Sequence, residues 1–197
     1  MARRSAALVT SASVLLTASV LLTACTTPEP EPSGSTAPSD SATPTPSVEP
    51  SETPSAPVST PVDVACDELV SLQTMYDFNP NFSLLSSWSP DAGSPAAEAV
   101  AADGVACRWQ NNTSGDAIDI SVASLDESTL EAKANATFET STMVPTYGSG
   151  EGYFAVTDGV GEAVVFDDSY WVVVRSVIFL EPGDAEPIVA SVLAALP

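Results

Sequence analysis

Residues 151–180 read EGYFAVTDGVGEAVVFDDSYWVVVRSVIFL. Three runs rich in Val, Phe, Tyr and Trp follow one another here: EGYFAVTD (151–158), GEAVVFDD (161–168) and SYWVVVRSVIFL (169–180). β-Branched and aromatic side chains suit the pleated surface of a sheet. Asp158-Gly159, between the first two runs, is a tight-turn signal, because a two-residue hairpin needs residues that accept positive φ. Strands joined by so little chain run antiparallel, since a parallel return needs a crossover of about a dozen residues or more. The stretch therefore predicts the heart of an antiparallel sheet. Tyr170 and Trp171 are neighbours on one strand, so one of them is expected to face away from the core.

Working outward, TMVPTYG (142–148) is a further strand, and VACRWQNN (105–112) with DAIDISVASL (116–125) reads as a hairpin turning at TSGD. Ile118, Ile120 and Val122 alternate and give the second strand one apolar face. VACDELVSLQTMYDF (64–78) places Leu69, Leu72, Met75 and Tyr76 at helical spacing, with Asp67 and Glu68 favourable in the first turn. PAAEAVAADG (95–104) predicts a short helix stopping at Gly104. ESTLEAKANATFE (127–139) predicts a helix capped by Asp126. In PGDAEPIVASVLAALP (182–197), Asp184 is expected at the N-cap and Pro187 in the first turn. Ile188, Val189, Val192, Leu193 and Leu196 then form the apolar face. NPNFSLLSSWSPDAGSP (79–95) is turn-rich and predicts an irregular loop. The order implies an α+β fold: an antiparallel sheet of five to six strands with N-terminal, middle and C-terminal helices packed on it.

The remainder of the chain has another character. Arg3 and Arg4 precede an apolar run that ends at Leu22-Thr23-Ala24-Cys25. A basic start, an apolar stretch and small residues before a cut site predict an export signal over residues 1–24. Leu-Thr-Ala-Cys fits the lipoprotein processing box at every position, so Cys25 is expected to carry the lipid anchor. Each buried methylene of such a chain adds about 0.8 kcal/mol of membrane affinity. Arg3-Arg4 leaves the twin-arginine and general export routes both open. Residues 26–62 hold ten Pro, fifteen Ser or Thr and five acids, with no aromatic residue and no cation. Such a segment buries too little apolar surface to offset the entropy of ordering, which predicts a disordered stalk, bare or glycosylated. Its reach lies between roughly 35 Å as a coil and about 115 Å fully extended. Residues 63–197 then form one domain of ordinary size.

Charge narrows the partners. Without residues 1–24, three cations (Arg108, Lys133 and Arg175) face all 26 carboxylates, a net charge of −23. Neutralising nucleic-acid phosphates needs a Lys/Arg surface, so no nucleic-acid partner is expected. Adsorption to anionic lipid is disfavoured for the same reason, whereas cations and basic partners are favoured.

The three cysteines divide unequally. With Cys25 assigned to the anchor, Cys66 and Cys107 remain inside an exported domain, and the expectation is a disulfide, with two buried free thiols as the alternative. The chain has no His, so neither a Cys/His zinc site nor a Cys–His nucleophile can be assembled. Lys133, the one Lys, lacks a Ser three residues before it and reads as a helix-surface lysine. Asp167/Asp168 and Asp116/Asp119 are the carboxylate pairs that a glycan hydrolase would use, although acidic turn residues ordinarily face solvent. Asp158-Gly159 reads as a turn rather than a calcium loop. GSGEG (148–152) is followed by no Lys and no helix, which excludes a phosphate cradle. Neither cofactor nor metal is expected. Phe82, Leu84, Leu85 and Trp88 make the 79–95 loop unusually apolar. It covers either the core or a binding surface. Trp109 is expected in the core beside Cys107.

The processing box, the Pro/Ser/Thr/Glu stalk, VACDEL, CRW and Gly161-Glu162-Ala163 together resemble small cell-envelope lipoproteins of actinobacteria that carry a paired Cys and a Cys-x-Trp. The likeness covers Cys66 to about Leu196, with FNPNFSLLSSWSP as an insertion. It implies an envelope location, a disulfide and an α+β fold, and no particular activity. The expected function is a membrane-anchored, extracytoplasmic, non-enzymatic binding module for an envelope protein or small ligand. A cell-wall glycan hydrolase and a lipid or small-molecule carrier are the alternatives.

Overall fold

The computed structural model describes residues 59–197. The expected signal, the anchor at Cys25 and the stalk up to residue 58 lie outside the described residues. Eight strands form one antiparallel sheet: β1 Ser59–Thr60, β2 Phe82–Leu84, β3 Val105–Asn111, β4 Ala117–Leu125, β5 Thr142–Met143, β6 Glu151–Thr157, β7 Val160–Asp167 and β8 Tyr170–Ser176. The order across the sheet is β2-β3-β4-β8-β7-β6-β5, with β1 pairing β4 off this path. Five helices accompany it: α1 Cys66–Leu69, α2 Leu72–Phe78, α3 Pro95–Ala101, α4 Glu127–Thr140 and α5 Pro182–Ala195. The fold is α+β, as read from the sequence, with more strands than the five to six expected. The additional strands are two or three residues long, too short to display any period.

The hairpin at Asp158-Gly159 forms as expected, with φ of 52° and 80° at its two turn residues. On its other side β7 pairs with β8, which places Gly161 opposite Ser176 and Glu162 opposite Arg175. On the first face of the sheet, Cys107, Trp109, Ile118, Ile120, Val122, Val165, Val172 and Val174 pack with Leu69 of α1, Met75 of α2 and Ile188, Val189 and Val192 of α5. On the second, Ala123, Leu125, Tyr153, Val164, Phe166, Trp171 and Val173 pack with Ala99 of α3 and with Leu130 and Ala134 of α4. Helices thus cover both faces, so Tyr170 and Trp171 each meet a packed layer and neither is left facing outward.

Several local expectations need correction. Residues 64–78 form two helices because the Ser71 hydroxyl accepts from the Thr74 amide and starts α2 afresh. Within the predicted 79–95 loop, Phe82–Leu84 is an edge strand paired with β3. Helix α3 ends at Ala101, and Asp103 rather than Gly104 takes the left-handed conformation (φ 53°). Asp184 is not the N-cap of α5: it lies in the first turn, and its carboxylate accepts from the amides of Leu180 and Glu181. Pro187 sits inside α5 rather than in its first turn. It is tolerated on the exposed side, where the freed carbonyl of exposed Gly183 is left to water. Residues 59–62, read as stalk, join the domain. Ser59 pairs with Leu125 and Thr60 with Ser124, and the Val62 amide donates to the Asp103 carbonyl.

Cys66 and Cys107 form a disulfide across 41 positions, tying the start of α1 to β3. Asp126 caps α4 as expected, its carboxylate accepting from the Thr129 amide and from the Ser128 and Thr129 hydroxyls.

Candidate functional site

The apolar residues of the 79–95 segment do not share a surface. Phe82 is buried and Leu84 is partly buried, both in the first-face core, and the Leu85 amide donates to the Arg108 carbonyl at the sheet edge. Trp88 turns to the second face, where the Arg108 guanidinium stacks on its ring at 4.2 Å. This segment covers the core and braces an arginine.

That arginine opens a row of alternating charge. Arg108 on β3 lies opposite Asp119 on β4, Asp119 opposite Arg175 on β8, and Arg175 opposite Glu162 on β7. Opposed residues on one face of an antiparallel pair approach closely enough to interact, so the row forms a ladder across four strands. Its members are not bound equally. Arg108 makes a two-pronged bond to Asp119, at 2.5 and 2.6 Å, which raises its pKa. Arg175 stands 3.7 Å from Glu162, and burial pushes the Glu162 carboxyl up despite the nearby guanidinium. Asp119, half of the Asp116/Asp119 pair, is thus committed to Arg108.

The rest of the second face belongs to α4. This helix of 14 residues buries none of them, although its floor is aromatic. Leu130 and Ala134 touch the floor, and Phe138 meets Tyr153 edge-on at 6.5 Å. Lys133 pins the other flank: its ammonium donates to Glu98 of α3 at 2.6 Å and stands 3.9 Å over the Trp171 ring. It is more than a surface lysine, since it joins two helices and the sheet.

A helix so lightly seated leaves clefts on both sides. One, of about 430 Å³, is lined by Glu127, Leu130, Glu131 and Asn135 of α4 with Glu151, Phe166 and Asp168 of the sheet side. A second recess of about 400 Å³ shares Glu127, Leu130 and Asp168 with it. The Tyr153 hydroxyl donates to Glu151 at 2.7 Å, and burial followed by that carboxylate raises the Tyr153 pKa. Across the helix, Trp171, Leu125, Ala101, Ala102, Thr129, Lys133 and Glu98 line a cleft of about 280 Å³.

Asp167 and Asp168 do not converge. Asp167 accepts from the Ser149 hydroxyl, whereas Asp168, in the left-handed turn after β7, lines the acidic cleft. Of the four cleft carboxylates, only Asp168 stood out in the sequence. Glu127, Glu131 and Glu151 were hidden because helix and strand that meet here lie far apart in the chain. Among the described residues no three His, Cys, Asp or Glu come close enough to hold a metal ion. No helix there is long and apolar enough to cross a membrane.

Comparison with known proteins finds no match among family models, curated sequences or solved structures. The chemistry of the second face is therefore the guide to function. Trp109, as expected, is buried beside Cys107, its indole N–H without an acceptor.

Proposed function

We propose that this protein is a non-enzymatic binding module held at the outer side of a cell membrane by a lipid on Cys25, and that it takes its partner along α4. The anchor and the envelope location rest on the Leu22-Thr23-Ala24-Cys25 box, the stalk composition and the resemblance to actinobacterial envelope lipoproteins. The single observation that carries the binding role is the seating of α4. A helix with no fully buried side chain, on a floor of Tyr153, Phe166 and Trp171 with open clefts on both flanks, leaves apolar and charged groups together at the surface. On the first face, by contrast, the large side chains of the sheet are buried against Leu69, Met75, Ile188, Val189 and Val192 of α1, α2 and α5.

A photo-crosslinking residue at Asn135, inside the larger cleft, is compared with one at Gln73 on exposed α2. The reading expects a discrete adduct in expressing cells from position 135 and none from 73. Equal adducts from both, or none from 135, would overturn it. A second reading, a carrier of a small apolar ligand, is favoured by the cleft over Trp171, where Leu125, Ala101 and Ala102 meet only one ion pair, Lys133–Glu98. Quenching of Trp171 fluorescence by an added apolar ligand, absent in Trp171→Phe, distinguishes it.

A further inference from the structure

We propose, on the reading of the α4 cleft as the binding surface, that its occupant is an extended, basic segment of a partner protein bearing Lys or Arg at alternate positions.

Three features select that chemistry. The first is sign. Glu127, Glu131, Glu151 and Asp168 line the cleft and no cation does. The three cations among the described residues lie elsewhere on the same face, each with its own acid: Arg108 with Asp119, Lys133 with Glu98, Arg175 with Glu162. An anionic or neutral occupant would leave four carboxylates uncompensated, whereas a basic one is drawn in and oriented by them.

The second feature is spacing. Glu127, Glu131 and Asn135 succeed one another at four-residue intervals on one stripe of α4, which sets them roughly 6 Å apart along the helix axis. Alternate side chains of an extended chain repeat every ~6.6 Å on one face. Two successive basic side chains thus meet Glu127 and Glu131 in step, and a third neighbour meets the Asn135 amide. The carboxylates are strung along the rim rather than gathered, and no three of the described residues converge closely enough for a single metal ion. A row of charges suits a row of cations. The recess that shares Glu127, Leu130 and Asp168 continues the trough toward Leu125 and Ser169.

The third feature is the floor. Leu130, Ala134 and Phe166 lie between the acidic rims. Lys and Arg bury their aliphatic stems on such a surface while the charged ends reach outward to carboxylates. On the opposite rim the Tyr153 hydroxyl holds Glu151 in place.

The experiment uses the full-length protein in nonionic detergent and a fluorescein-labelled Lys-Val-Lys-Thr-Lys-Val-Lys peptide, read by anisotropy. The Glu131→Gln/Asp168→Asn double variant alters the cleft. Asp77→Asn/Glu186→Gln removes the same charge from exposed sites on α2 and α5. Saturable binding is expected, weakened about tenfold or more by the cleft variant and less than about twofold by the charge-matched one. Equal weakening by both would mean bulk charge alone and would overturn the proposal. So would equal binding of the same peptide with Glu in place of Lys, or displacement of the peptide by an equimolar amount of calcium. An absent peptide signal together with a persistent Asn135 adduct would reject the basic occupant while leaving the α4 surface as the binding site.

Discussion

Gly161 opens the Gly161-Glu162-Ala163 triplet, and each member of the triplet has a separate physical task. A Cβ at Gly161 would stand 2.1 Å from the Phe179 carbonyl oxygen, and that neighbour is backbone that cannot swing aside. Gly161→Ala should therefore cost about 2 kcal/mol or more, read as a lower denaturation midpoint with unchanged slope. Ala163 packs in the first-face core, while Glu162 points to the second face beside Arg175. Burial raises the Glu162 carboxyl above its ordinary 4.5, with Arg175 opposing and Glu98 adding to the rise. A carboxyl whose folded-state pKa is raised binds protons more readily in the folded chain, so stability falls as pH rises from about 4.5 through the raised value. Glu162→Gln should accordingly raise Tm at pH 7 and leave it unchanged at pH 4. A lower Tm at pH 7 would show that the Arg175 attraction outweighs desolvation.

Of the five helices among the described residues, α4 alone has no fully buried residue, and its N-cap makes it responsive to acid. The Ser128 and Thr129 hydroxyls and the Thr129 amide lower the Asp126 pKa to about 2. A lowered carboxyl contributes stability above its ordinary pKa of 3.8 and loses it as pH falls toward about 2. Hydrogen exchange at the Thr129 amide should accelerate, relative to sheet amides, across that window. In Asp126→Asn, which keeps an acceptor but cannot titrate, the ratio should stay flat. This cap was legible in the sequence, because Asp before a helical stretch satisfies a free amide wherever the helix comes to rest. The resting place was not legible. Leu130 and Ala134 are a thin stripe, and nothing in them names Phe166 or Trp171 as the surface beneath. The central strands were easier to read, yet AVVF and WVVV carried a further signal. Strands apolar at successive positions are covered on both faces, and that would have foretold a layer of helices on each side.

For the whole molecule, the disulfide is the largest single constraint. Closing a loop of 41 positions removes unfolded-state entropy worth roughly 4 kcal/mol in the chain-entropy description. Set against a typical total of about 5–15 kcal/mol, that is a large share. Cys66→Ser/Cys107→Ser should lower Tm by roughly 15 °C relative to the oxidised protein, and added reductant should have no further effect on the variant. The α+β class was legible from the spacing of apolar runs, and the bond from the two cysteines left once Cys25 is assigned to the expected anchor. The start of the domain was not legible. Ser59 and Thr60 belong compositionally with the Pro-rich segment, and only pairing with Leu125 and Ser124 brings them into the sheet.

That entry point determines how the molecule bears force. A pull applied through the chain before Ser59 falls first on β1, held to β4 by a two-residue ladder, and then on the Val62 amide bond to Asp103. Once these part, tension reaches Cys66 and crosses its sulfur directly to Cys107 on β3. The chain between the two cysteines, roughly 140 Å of contour, carries none of the load. Helices α1, α2 and α3 and the edge strand β2 all lie within that sheltered length. A domain pulled through its N-terminal end therefore yields at β1, beside the capped end of α4, long before its core is strained.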